Sequence, residues 1–231
     1  MALTQSVPID NLPPEILSPI FITLVNDSLY ARSVGDDSYG SSEYPTLISS
    51  VCVRWRRVAI SIPYLWSYID LMPGNIHPRN YGHIQLWLER SQNSPLRLRV
   101  GKGGEWAEER EGGSMTGAFN SPRHIDDYLA SVLLSSAPRL HSFTLKFGYP
   151  DFAAEVLSWL LNAGQHSIRE LAIRQSRWMT TRRSQLLPQT KWNRLLEPLQ
   201  VLHLERIDIA LNNIPCRNLV ELQLVNPHAF S

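Results

Sequence analysis

LQVLHLE, residues 199–205, sets apolar side chains at Leu199, Leu202 and Leu204, and the same spelling, apolar-x-x-apolar-x-apolar, returns three more times. The other copies are Leu140/Phe143/Leu145 in LHSFTLKF (140–147), Ile168/Leu171/Ile173 in IRELAIR (168–174) and Leu219/Leu222/Leu224 in LVELQLV (219–225). Alternate residues of a strand face one side. The last two apolar positions of each copy therefore turn inward together, and the first leads the chain into the strand. Leu145, Ile173, Leu204 and Leu224 are expected at equivalent core positions of neighbouring strands. Glu170, Ala172, His203 and Gln223 alternate with core residues and are expected on the opposite, concave face, as candidates for contact with a captured protein.

Helical patterns at 81–91 (YGHIQLWLERS), 124–136 (HIDDYLASVLLSS) and 152–163 (FAAEVLSWLLNA) alternate with these strands and with LRLRV at 96–100. Strand–helix–strand steps in one sheet give parallel pairing. The first anchors Leu140, Ile168, Leu199 and Leu219 lie 28, 31 and 20 residues apart. That spread brackets the roughly 20–29-residue leucine-rich repeat period, with one overshoot. Trp66/Ile69/Leu71 and Asn93/Leu96/Leu98 read as earlier, degenerate copies, the second without an apolar first anchor. Residues 73–231 thus resemble an irregular leucine-rich-repeat-like α/β solenoid with a parallel sheet. It is expected to be incomplete, because no capping repeat follows LVELQLVNPHAFS. The glycine-rich stretch 101–122 is expected as a loop insertion.

Upstream the period changes. Residues 9–26 carry Leu12, Ile16, Leu17, Ile20, Phe21, Leu24 and Val25 at steps of three and four, the mark of a helix face. Pro13 and Pro14 suit its start and Glu15 its first turn. Pro19 removes a donor, so a short turn, a kink and then a helix to about Asn26 are expected, with Ser18 as a restarting cap. Residues 27–44 are expected as an inserted loop. A second helix is expected from Leu47, Ile48, Val51, Cys52, Trp55, Val58, Ala59 and Ile62, with Cys52 a buried thiol, Trp55 at the centre of the module and Pro63 the stop. The fold class is therefore α+β: a three-helix module over 1–72, then the repeats.

LPPEIL at 12–17, Ile20-Phe21, VCVRWRRVA at 51–59 and PYLW at 63–66 occur in the order and with the character of the F-box. The chain resembles the F-box proteins of mushroom-forming fungi, which insert a loop between the main helices and follow with leucine-rich repeats. The resemblance covers residues 10–72 by motif and the rest by architecture. It implies an adaptor of a ubiquitin ligase, acting in ubiquitin-dependent degradation, whose F-box docks a Skp-type linker joined to a cullin and whose repeats recruit a protein substrate. Carried over by position, the linker-binding residues are Leu12, Pro13, Ile16, Leu17, Ile20 and Phe21, with Val51 and Trp55 in support. Pro19 and the 27–44 insertion depart from the pattern and bear on linker affinity.

Composition narrows the other classes. With 231 residues, 43% apolar and 19% charged, the chain can bury a real core. A net charge of +1 gives no bulk attraction for nucleic acid or acidic membrane. Cys52 and Cys216 do not form a disulfide framework. No secretory signal or unbroken apolar span is present, so a cytoplasmic or nuclear location without membrane partners is expected.

The seven histidines lack metal-ligand spacing, and no nucleophile elbow or phosphate loop occurs, so neither catalysis, metal nor cofactor is expected. Two alternatives stay open. One is a repeat-based scaffold without ligase association. The other, ranked lower, is nucleic-acid binding through the basic segment 174–194, which carries Trp178 and Trp192.

Overall fold

The computed structural model describes residues 12–33, 44–71, 81–102, 127–148, 150–163, 168–175, 186–207 and 217–225. The chain divides into two compact units, residues 1–69 with 82–94 and residues 70–81 with 95–231. The expected 72/73 boundary is therefore displaced, because Gly82–Ser94 groups with the helical unit.

In that unit α1 spans Pro14–Ser33, α2 Tyr44–Val51 and α3 Val53–Ile60, and a 3-10 turn covers Pro63–Trp66. The Pro13 carbonyl accepts the N–H groups of Ile16 and Leu17 and so starts α1. Leu17, Phe21 and Val25, four residues apart, are buried with Ile48, Val58, Ala59, Leu65 and Trp66. The Trp66 indole N–H, which needs a partner once buried, donates to the Ala59 carbonyl at 2.9 Å. α4, Tyr81–Arg90, contributes Trp87 edge-on to Trp66, and the Arg90 guanidinium lies 4.3 Å from the Trp66 ring centre. These contacts account for the grouping of 82–94 with the helices.

Several expectations are corrected here. α1 runs through Pro19 without a restart and continues to Ser33, past Asn26, so the first part of the expected 27–44 loop is helix. Ser18 is no cap; its hydroxyl donates to the Pro14 carbonyl at 2.7 Å, one helical turn back. Residues 34–43 of the loop lie outside the described residues. The single helix expected over 47–62 is two, broken at Cys52, whose backbone is extended at φ −154° and ψ 170°. Cys52 is half-buried rather than a core thiol, and its Sγ accepts the Trp55 N–H. The fully buried tryptophan of the unit is Trp66; Trp55 packs against the core cluster as a half-buried ring.

The second architecture is a mixed α/β stack. β1 (Tyr68–Leu71), β2 (Leu96–Lys102), β3 (Leu140–Phe147), β4 (Glu170–Gln175), β5 (Val201–Glu205) and β6 (Glu221–Val225) form one sheet in sequence order. From β2 to β6 every pairing is parallel. α5 (Asp127–Ser136), α6 (Pro150–Asn162) and α7 (Gln189–Leu196) lie in the crossovers, and α6 packs on α5, α7 and β3. Phe152, Val156, Leu157, Leu160 and Leu161 of α6 are buried, as its steps of three and four require.

Two apolar columns cross the sheet. Leu98, Phe143, Leu171, Leu202 and Leu222 stand in register, as do Val100, Leu145, Ile173, Leu204 and Leu224. The columns are buried from β2 to β5. The lead-in repeats as well. The N–H groups of Gln200 and Val201 share the Arg169 carbonyl, and those of Val220 and Glu221 share the Gln200 carbonyl. The copy assigned to Asn93/Leu96/Leu98 is corrected in frame. Leu98 aligns with Phe143, so the copy is Leu96/Leu98/Val100, with an irregularity between Leu96 and Arg97 that shifts the count.

Candidate functional site

Two surfaces carry the residues singled out in the sequence, one in each unit. On the helical unit α1 divides its apolar residues between two adjoining stripes. Leu17, Phe21 and Val25 form the inner one, while Ile16 (48% exposed), Ile20 and Leu24 form the outer. Consecutive residues stand about 100° apart on a helix, so apolar pairs repeated every four residues produce two stripes side by side. The short helices expose Leu47 and Val51 on α2 and Val53 on α3.

Among the expected linker-binding residues, Pro13, Ile16, Ile20 and Val51 are therefore at the surface, and Leu12 and Trp55 are half-buried. Leu17 and Phe21 are wholly enclosed and support the surface from within. Leu24, Leu47 and Val53 belong to the exposed set although the sequence pattern placed only the first two, as members of apolar helix faces, and named none of them for linker binding. The doubled pairs Ile16-Leu17, Ile20-Phe21 and Leu24-Val25 were the available signal.

Polar contacts hold this face in place. The Arg54 guanidinium donates to the Leu12 carbonyl at 2.6 Å and ties the lead-in of α1 to α3. Arg56 Nε donates to the Ser49 carbonyl at 2.9 Å across the α2–α3 break. The Tyr64 hydroxyl meets Asn26 Oδ1 at 2.7 Å. Phe21 and Trp55 rings lie 5.0 Å apart and tilted by 53°. Among the described residues Trp55 Nε1 is buried without a hydrogen-bond partner, and the Phe21 ring packs on the indole.

On the sheet unit the side chains opposite the apolar columns form two mostly polar rows. Arg97, Ser142, Glu170, Val201 and Glu221 make one row; Arg99, Thr144, Ala172, His203 and Gln223 make the next. All four expected candidates, Glu170, Ala172, His203 and Gln223, fall on this face. Ala172, His203 and Gln223 stand opposite one another, and Glu170 opens the neighbouring row. His203 is half-buried, and its Nε2 lies 2.8 Å from Glu221 Oε1. His141 Nε2 is 3.9 Å from Glu170 Oε1, and Arg99 is 3.9 Å from Asp70 of β1. The sequence pattern named single positions and missed the rows, because the row partners on β2 and β3 follow only from register.

Other expected sites resolve differently. Trp192 of the basic segment is buried in α7, which removes it as a platform for stacking bases. Trp178, Arg177, Arg182 and Arg183 lie outside the described residues. Among the described residues no three His, Cys, Asp or Glu side chains gather as a metal site, and no helix is long and apolar enough to cross a membrane. No protein-family model matches the chain, and neither does any curated protein or solved structure.

Proposed function

We propose that the chain is a non-enzymatic adaptor. Its F-box-like helical unit docks a Skp-type linker of a cullin ubiquitin ligase, and its leucine-rich-repeat-like sheet presents a protein substrate. The observation that carries the reading is the outer stripe Ile16, Ile20 and Leu24, left exposed beside a fully formed inner core. A helix that has already closed its core gains nothing from a second apolar stripe in water, whereas a groove on a partner buries it.

Ile16, Ile20 and Val51, with Pro13 and Leu12, are the contact residues in this reading, and Leu17, Phe21 and Trp55 hold them in position. The polar rows around Ala172 and His203 are the substrate face. Their half-buried to exposed side chains can be changed without disturbing the columns beneath, which suits selective capture.

The test is co-purification of the full chain with a Skp-type linker and a cullin. Capture that is lost in Ile16→Asp and Val51→Asp, with helical content unchanged, supports the adaptor. Absence of capture leaves the repeat-based scaffold as the better reading.

A further inference from the structure

On the reading that the polar rows are the substrate face, we propose that the carboxyl ends of β3, β4 and β5 hold an acidic segment of the captured protein, its carboxylates set over Lys146, Arg174 and Arg206. Past the two rows already described, the same register lines up Lys146, Arg174 and Glu205 at these strand ends. All three are half-buried, so part of each side chain is in reach of a ligand. Lys146 and Arg174 stand directly opposite one another, cation against cation. Like charges across a strand pair destabilise a sheet, and a carboxylate laid between them turns that cost into attraction.

Arg206 adds a third cation. Its backbone is left-handed, with φ 57°, a region that arginine seldom adopts. That turn breaks strand alternation. A side chain due on the apolar side instead lies 3.5 Å from Glu205, on the polar face. The guanidinium also donates to the Gln175 carbonyl at 3.2 Å, which fixes it across the ends of β4 and β5. Glu205 thus sits between its register partner Arg174 and Arg206. The first row has the opposite sign. From β3 to β6 its charged members are Glu170 and Glu221, with His141 and His203 beside them. Ligand carboxylates are therefore drawn to the carboxyl ends and repelled from the other end. A nucleic acid, charged along its whole length, meets both rows, whereas a short acidic stretch meets only the cations. Strands stand about 4.8 Å apart and alternate residues of an extended peptide about 6.6 Å apart, so two carboxylates two residues apart fit across these strands.

Fluorescence anisotropy with the full chain and a labelled peptide of alternating glutamate and serine tests this, with glutamine–serine and lysine–serine peptides as controls. Saturable binding of the glutamate peptide that weakens with added salt is expected, and neither control should bind. Lys146→Gln and Arg174→Gln should each weaken binding roughly 10-fold, while Arg174→Lys should retain most of it. Glu170→Gln, in the first row, should leave affinity unchanged or slightly tighter. Circular dichroism checks the fold of each variant. Failure of the glutamate peptide to bind overturns the proposal. So does binding indifferent to Lys146→Gln and Arg174→Gln together, or tighter binding of an oligothymidylate. Capture of a Skp-type linker is read separately. Linker capture without peptide binding removes this inference and leaves the adaptor, and peptide binding without linker capture supports it on the repeat-based scaffold.

Discussion

Cys52 Sγ accepts the amide N–H of Trp55 at 3.4 Å and thereby caps α3 three residues in. A thiol is a weak acceptor in a position that favours serine, threonine, aspartate or asparagine. Cys52→Ser should therefore stabilise the chain, by about 0.5–1 kcal/mol, read from urea unfolding. A core thiol inside one continuous helix would respond with the opposite sign, since a hydroxyl would then be buried among apolar groups. The direction of the change decides between the two arrangements.

Ile16 and Leu17 are neighbours in sequence with opposite duties. Ile16 is exposed on the outer stripe and Leu17 is enclosed by the helical core. Leu17→Ala should cost about 2–5 kcal/mol, the range for truncating a buried leucine. Ile16→Ala should stay within roughly 0.5–1 kcal/mol of the parent. Equal losses in thermal unfolding would mean that the outer stripe is packed in the free chain, and the docking surface would have to be sought elsewhere.

The columns of the sheet give a graded expectation. Ile173 stands between Leu145 and Leu204 and is fully buried, while Leu224, in the same column, is half-open at the edge. Ile173→Ala should cost about 2–5 kcal/mol. Leu224→Ala should cost clearly less, because its side chain has given up only part of its contact with water. Glu170→Ala, on the polar face, should change stability by under about 0.5 kcal/mol. A larger loss at Leu224 than at Ile173 would be incompatible with the observed end of the column.

Periodicity conveyed the sheet well because strand alternation is rigid: Leu145, Ile173, Leu204 and Leu224 could align in only one way once the spelling was recognised. It failed on β2, where the irregularity at Leu96/Arg97 moved the frame and made Asn93 look like an anchor. In the helices the apolar pattern showed that α1 exists but merged its two stripes into one face. Hydrophobicity alone does not tell a side chain that meets Trp66 from one that meets solvent. The break at Cys52 was hidden for another reason. Val51, Cys52 and Val53 continue an apolar run, and only the cap geometry, which pairs Cys52 with the amide three residues on, interrupts the helix. The rows on the polar face depended wholly on register, so Glu170, Ala172, His203 and Gln223 were legible singly and their partners Arg97, Ser142 and Thr144 were not.

Pro19 offers the sharpest test of how α1 is built. It lies inside the 20-residue helix Pro14–Ser33, is exposed, and has no N–H to give the Glu15 carbonyl one turn before it. Its ring also crowds that carbonyl. The helix persists because Leu17, Phe21 and Val25, on both sides of the proline, are anchored in one core. Pro19→Ala should restore the missing hydrogen bond and relieve the crowding. Against this, alanine gives the unfolded chain more freedom, worth about 0.4–1 kcal/mol. An interior proline costs a helix roughly 3 kcal/mol relative to alanine, so the net effect should be a gain of about 1–3 kcal/mol. A higher melting temperature with unchanged exposure of Ile16 and Ile20 is the expected result. A lower one would mean that the proline fixes a bend on which the packing of Phe21 depends, and that the uninterrupted helix is the wrong description of this segment.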